Sequence, residues 1–160
     1  MTKRFSVEDR GDITDVLARY CWTVDEGDGE GYASLWTEDG VFAGIMPQPV
    51  RGRADLAKVP TTSLMGGCRH VLVNVYMEYG ETTDEAIIHA YNFVSGWHPE
   101  ARFQTMAICK LHLVRRPDGW KIRSNQARLL PATSDPNPMG QPEGFPYPAN
   151  QATTKFPPLT

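Results

Sequence analysis

The hydrophobic period changes once along this chain, at Cys68, and that change constrains the fold more than any other feature. Before it, Ile13, Val16, Leu17, Tyr20, Cys21 and Val24 recur at helical spacing and form one apolar stripe. After it the period is two, and residues 69–78, 86–97, 103–115 and 120–129 read as four long strands. Turn-rich segments join them: Tyr79-Gly80-Glu81, Trp97-His98-Pro99-Glu100 and Pro117-Asp118-Gly119. Helices first and an antiparallel meander afterwards predict an α+β fold, with the helices packed on one face of a bent sheet.

The boundaries follow from local chemistry. The first helix covers residues 6–26, with Ser6 as N-cap and Glu8 and Asp9 in the turn where negative charge suits the helix dipole. Gly27 closes it in a left-handed conformation, and Asp28 caps a short second helix carrying Tyr32, Leu35 and Trp36. Glu38-Asp39-Gly40 then turns the chain into a strand, Val41 to Met46, which Pro47 and Pro49 end. Residues 53–65 read as a short helix broken at Pro60. The domain spans residues 1–130. Most of the thirteen prolines lie beyond it, in a tail over residues 131–160 that also holds Phe145, Tyr147 and Phe156. These aromatic anchors predict that the tail packs on the domain, on a neighbouring subunit or over the pocket mouth.

Composition removes several function classes. A chain of 160 residues is one domain, and 41% hydrophobic residues allow it a substantial core. The net charge is −3 and no basic block exceeds Arg115-Arg116, so neither nucleic acid nor an anionic membrane is an expected partner. No apolar stretch approaches a membrane span, and the N-terminus lacks the pattern of a signal peptide. Cys21, Cys68 and Cys109 are odd in number and set among apolar residues, as reduced, buried thiols of a cytoplasmic protein would be. No Gly-x-Ser-x-Gly, phosphate loop or metal triad of recognisable spacing is present, so the expectation is no metal and no cofactor.

Two residues stand out as candidates for chemistry. Asp25 ends the first helix at the edge of the apolar stripe, although an acid in the loop Asp25-Glu26-Gly27-Asp28-Gly29-Glu30 is most simply solvated. His70 lies in the strand Arg69 to Met77. Alternation there puts His70, Leu72, Asn74 and Tyr76 on one face, opposite Val71, Val73, Val75 and Met77. The first face mixes apolar and polar groups as a pocket wall does; the second belongs to the core or to a subunit interface. Taken alone, His70 also fits a hydrogen-bonded structural histidine. His89 and Tyr91 share a face with Ile87 and Phe93 and can reach a cavity, whereas His98 falls in a turn and His112 reads as structural. On the last strand Trp120 and Ile122 read as core, which turns Arg123 and Asn125 to the other face.

The segments Ile13 to Tyr20, Val24-Asp25, Tyr32 to Phe42, Arg69 to Asn74, Asp84-Glu85-Ala86 and Asp118 to Ile122 together resemble the SnoaL-like proteins of the nuclear-transport-factor-2-like fold. The resemblance covers about residues 8 to 130 and implies a cone of curved antiparallel sheet around helices, enclosing one apolar pocket. Within the superfamily the chain is most similar to the branch containing scytalone dehydratase and hexachlorocyclohexane dehydrochlorinase. Those enzymes pair an aspartate at the end of the first helix with a histidine on the strand after the third, and Asp25 and His70 occupy the matching positions. The surroundings depart from it: Tyr20 stands where the dehydrochlorinase has a lysine, and Asn125 where it has an arginine. Val24 and Gly44 fall near the positions of the dehydratase's water-holding tyrosines.

The resemblance therefore implies His70 as general base, Asp25 orienting it, and a pocket walled by Tyr20, Tyr32, Trp36, Asn74, Tyr91 and Asn125 for a small apolar organic ligand. The reactions open to it are dehydration, elimination, isomerisation and cyclisation of a small apolar or polyketide-like compound. The alternative is a non-catalytic ligand-binding or structural role, such as the small β subunit of a ring-hydroxylating dioxygenase. The apolar face of the strand at Val71 adds the expectation of a homo-oligomer, for which the resemblance favours a trimer over a dimer.

Overall fold

A computed structural model of the chain describes residues 4–62, 65–97, 100–129 and 158–159. His98 and most of the proline-rich tail, residues 131–157 and 160, lie outside the described residues, so the expectations for the turn at His98 and for tail packing are not addressed.

Helix α1 runs Val7–Asp25 and begins as its residues dictate, with the Ser6 side chain accepting a hydrogen bond from the Asp9 amide at 3.0 Å. Its stripe of Ile13, Leu17, Tyr20, Cys21 and Val24 is buried. Gly27 (φ 72°) takes the left-handed turn that ends the helix. Asp28 then caps α2, Gly29–Ser34, by accepting from the Gly31 amide at 2.8 Å. Strand β1 (Trp36–Ala43) follows, then β2 (Val50–Arg51), α3 (Arg53–Leu56) and a single 3-10 turn over Val59–Thr61 that contains Pro60. The four long strands are β3 (Cys68–Tyr79), β4 (Glu85–Gly96), β5 (Arg102–Arg116) and β6 (Gly119–Leu129).

The six strands form one sheet in the order β2-β1-β6-β5-β4-β3. The meander from β3 to β6 is antiparallel, but β1 pairs parallel with β6, so the sheet is mixed rather than wholly antiparallel. The strand expected from Val41 in fact begins at Trp36. Its turn residues survive as an irregularity, because β1 advances from Trp36 to Val41 while β6 advances only from Ile122 to Ser124. Arg53 braces this stretch by donating to the Trp36 carbonyl and to Glu38.

Bulges in the meander decide which side chains face the helices. On β3, Val73 pairs with Tyr91 and Tyr76 with His89, leaving one extra residue around Asn74. Asn74 has φ 50°, a left-handed conformation that asparagine tolerates better than most residues. On β5 the extra residue is Gln104, between the pairs Val94–Thr105 and Ser95–Phe103. On β6 it is Arg123, between Ile122–Leu113 and Ser124–His112.

Each bulge shifts the alternation by one. Cys68, His70 and Leu72 point inward, but beyond the bulge Met77 and Tyr79 pack against the core, while Asn74 and Tyr76 face out. Met77 is thus not on the outer face with Val71, which is exposed. Likewise Asn125 shares the inner face with Trp120 and Ile122, and Arg123 alone turns out. On β4 the inward row is Ala86, Ile88, Ala90, Asn92 and Val94, so Ile87, His89, Tyr91 and Phe93 lie on the outer face.

Candidate active site

The end of α1 meets the start of β3, and there the two candidate residues come together. Asp25 Oδ1 lies 2.6 Å from His70 Nδ1, and Asp25 Oδ2 accepts from the His70 backbone amide at 2.9 Å. Both side chains are nearly inaccessible, at 6% and 9% exposure. A carboxylate held by two bonds from one residue fixes the imidazole plane as well as its position. Arg69 straps the junction from outside, donating to the Asp25 carbonyl at 3.2 Å and pairing with Glu26. Asp25 is therefore not the solvated loop acid that its neighbours in sequence suggest.

His70 lines a cavity of about 130 Å³ between the helices and the inner face of the sheet. Its floor and walls are mostly apolar: Tyr20, Val24, Tyr32, Phe42, Ile45, Val59, Met65 and Val94. Ala107, Cys109 and Ala127 contribute the space, since larger side chains at those positions would fill it. The polar groups are few, as in a small-molecule site: His70, Asn92, Thr105 and the exposed Gln104 at the mouth. Cys68 points its thiol at the Gln104 side-chain oxygen, 3.1 Å away.

Of the residues expected to wall the pocket, Tyr20 and Tyr32 do so. Trp36 is fully buried behind them, its ring 5.6 Å from that of Tyr32 and 6.3 Å from that of Tyr20, and does not reach the cavity. Asn125 also stands behind the wall, donating to the Tyr20 hydroxyl at 3.0 Å and so orienting it. Asn74 and Tyr91 do not wall the cavity. The β3 bulge turns Asn74 out, and Tyr91 lies on the exposed outer face of β4. The missed residue is Asn92, which lines the cavity, is 7% exposed and has a side-chain oxygen without a partner. A buried polar atom left unmade costs about 1–3 kcal/mol. Its signal in the sequence was an amide in the row Ala86, Ile88, Ala90, Val94, but the opposite row of β4 is equally apolar, and period alone does not say which faces in.

The electrostatics keep the other titratable groups neutral. Burial pushes the Cys21 and Cys109 thiols up to about 12, with the Asp25 charge adding to the effect on Cys21. Cys68 is raised for the same two reasons. None of the three is placed to act as a thiolate nucleophile. Burial, and then the neighbouring Tyr32, raises Tyr20 well above the ordinary phenol value, so it serves as a neutral hydroxyl. Among the described residues no group of three or more His, Cys, Asp or Glu side chains is arranged to hold a metal ion, and no helix is long and apolar enough to cross a membrane.

Residues 6–125 match the SnoaL-like domain model. The chain belongs to the SnoaL-like family. Solved structures agree with the fold. A SnoaL-like chain such as this is similar to a nuclear-transport-factor-2-like protein with a cystatin-like fold from Novosphingobium aromaticivorans, at 25% identity and a TM-score of 0.71, over 80% of this chain and 86% of that one. It is similar to a protein of unknown function from Mycobacterium tuberculosis, at 25% identity and a TM-score of 0.72, over 82% of each chain. A candidate aromatic ring hydroxylase from Novosphingobium aromaticivorans gives 25% identity and a TM-score of 0.66, over 80% of this chain and 93% of that one. No curated protein matches the sequence.

Proposed function

We propose that this SnoaL-like protein is a lyase- or isomerase-type enzyme in which His70 removes a proton from a carbon acid bound in the cavity. The observation that carries the reading is the 2.6 Å contact between Asp25 and His70 Nδ1, made by a histidine that also lines an apolar cavity. With Nδ1 engaged by the carboxylate, Nε2 is the nitrogen left for a ligand, and Asp25 stabilises the imidazolium that forms. The proton leaves a carbon next to a carbonyl for Nε2, and the C–H electron pair moves onto the carbonyl oxygen as an enolate. Returned to another carbon, the proton gives isomerisation. Passed to a departing β-hydroxyl, it gives dehydration. Loss of another β leaving group gives elimination, and attack of the enolate carbon on a second carbonyl gives cyclisation. Kinship with the scytalone dehydratase and hexachlorocyclohexane dehydrochlorinase branch is part of the same proposal, supported by the positions of Asp25 and His70.

The test needs no knowledge of the natural substrate. One-ring ketones incubated with the protein in D2O should exchange α-hydrogen faster than in buffer, read by mass spectrometry. A positioned base is worth about 10²–10⁴ in rate. His70→Ala should remove the acceleration and Asp25→Asn should reduce it. Exchange that is equally fast with wild type and His70→Ala would overturn the catalytic reading. The likeness to the candidate ring hydroxylase favours a second reading, a non-catalytic subunit. That reading requires inert exchange together with stable copurification of a larger iron–sulfur partner.

A further inference from the structure

We propose that Asn92 determines which ligand the cavity takes: its carboxamide holds an oxygen substituent, hydroxyl or carbonyl, on a ligand whose enclosed part is about one six-membered ring. The proposal rests on the reading of the cavity as a ligand site and adds to it the class of ligand.

Three observations converge on Asn92. It interrupts an inward row that is otherwise Ala86, Ile88, Ala90 and Val94. It is 93% buried against the cavity, and its side-chain oxygen has no protein partner. A carboxamide offers a donor at one end and an acceptor at the other, and rotation exchanges them, so a hydroxyl or a carbonyl on the ligand can satisfy it. The third observation is register. His70 pairs with Val94 and Leu72 with Asn92, which makes His70 and Asn92 diagonal neighbours on one face of the sheet. Diagonal neighbours stand about 7–8 Å apart. That spacing admits one ring edge between the imidazole and the amide, with carbon toward His70 and oxygen toward Asn92.

Volume sets the size. The cavity holds about 130 Å³, and an apolar protein cavity of roughly 150 Å³ accepts benzene. A larger ligand projects past Gln104 at the mouth. Among the described residues the lining holds two buried polar atoms without a partner, the Asn92 oxygen and the Tyr32 hydroxyl. Of these the Asn92 carboxamide stands diagonal to His70. A bare hydrocarbon binds poorly relative to its oxygenated counterpart because it leaves that amide unpaired.

Phenol and toluene, nearly equal in shape, are the probes, titrated into the protein by NMR. The readout is the ratio of the toluene Kd to the phenol Kd. Asn92→Leu should lower that ratio by between about twofold and tenfold, and by more than His70→Ala does. A ratio unmoved by Asn92→Leu, or lowered more by His70→Ala, would assign the oxygen to another group and overturn the proposal. Absence of binding by either probe at millimolar concentration would overturn the size class. Should Asn92→Leu not fold, the wild-type protein still decides: the Asn92 side-chain NH2 signals should move further downfield with phenol than with toluene, and equal shifts would overturn the proposal. These outcomes are independent of catalysis, so inert ketone exchange combined with an Asn92-dependent ratio would defeat the base and leave the ligand class standing.

Discussion

At one end of the sheet's inner face, Leu111, Leu113, Trp120 and Ile122 share a solid core with Phe5, Ile13 and Leu17. At the other end the same two strands, β5 and β6, carry Ala107, Cys109 and Ala127, and the helical layer above them leaves a cavity. Strand pairing runs through both halves, with a one-residue bulge at Arg123 between them and another at Gln104 in the hollow half. Small side chains at Ala107, Cys109 and Ala127 add to these backbone shifts in leaving the space. Asp9 anchors the solid half, accepting from Arg115 at 2.7 Å and from Trp120 at 3.3 Å, with the Arg115 guanidinium 4.5 Å over the Trp120 ring. The hollow half is anchored by Asp25 on His70 at the opposite end of the same helix. One helix thus uses an acid near each end, one to hold the fold and one to hold a base.

The largest effect expected from disturbing this division is in the solid half. Leu111→Ala removes a fully buried side chain and should cost about 2–5 kcal/mol in denaturant unfolding. A cost below about 1 kcal/mol would mean that this half is not close-packed.

The anchor comes next. Burial pushes the Asp9 carboxyl up, but hydrogen bonds from Arg115 and Trp120 outweigh it and hold the group below its ordinary value of 3.8. A depressed carboxyl contributes stability that is complete above the unfolded value and lost as pH falls through the folded one. Wild type should lose stability below about pH 4. Asp9→Asn should start lower at neutral pH by about 1–2 kcal/mol, an amount reduced by the partial exposure of Arg115. Its acid limb should be flatter. Parallel acid limbs for the two proteins would contradict the role of the anchor.

The smallest stability effect belongs to the hollow half. Ala107→Leu places its added carbons in the cavity and should change stability by no more than about 1 kcal/mol, yet abolish phenol binding. Stability lost with binding retained would show the cavity to lie elsewhere.

Helix α1, its cap and the four long strands were legible because each depends on local spacing and on residues such as Ser6, Gly27 and Asp28. The pair of Asp25 and His70 was legible only through family resemblance, since nothing local distinguishes Asp25 from the acids that follow it. The rest of the site failed for one physical reason. Alternation carries a phase, and a one-residue bulge resets it without a strong signal of its own. The bulge at Asn74 removed Asn74 and Tyr76 from the inner face and brought Met77 in, and the bulge at Arg123 brought Asn125 to the helix side. Strand β4 carries no bulge, but both its faces are apolar, so alternation alone does not separate the row of Tyr91 from the inner row that Asn92 occupies.

The most direct measurement on the Asp25–His70 pair is the tautomer of His70, read from its two ring nitrogens by ¹⁵N NMR at a pH where the imidazole is neutral. The expected result is a proton on Nδ1, donated to Asp25, and a bare Nε2 whose signal moves when phenol enters the cavity, with the tautomer preference weakened in Asp25→Asn. A proton resident on Nε2, or an Nε2 signal indifferent to cavity ligands, would contradict a base poised over the cavity.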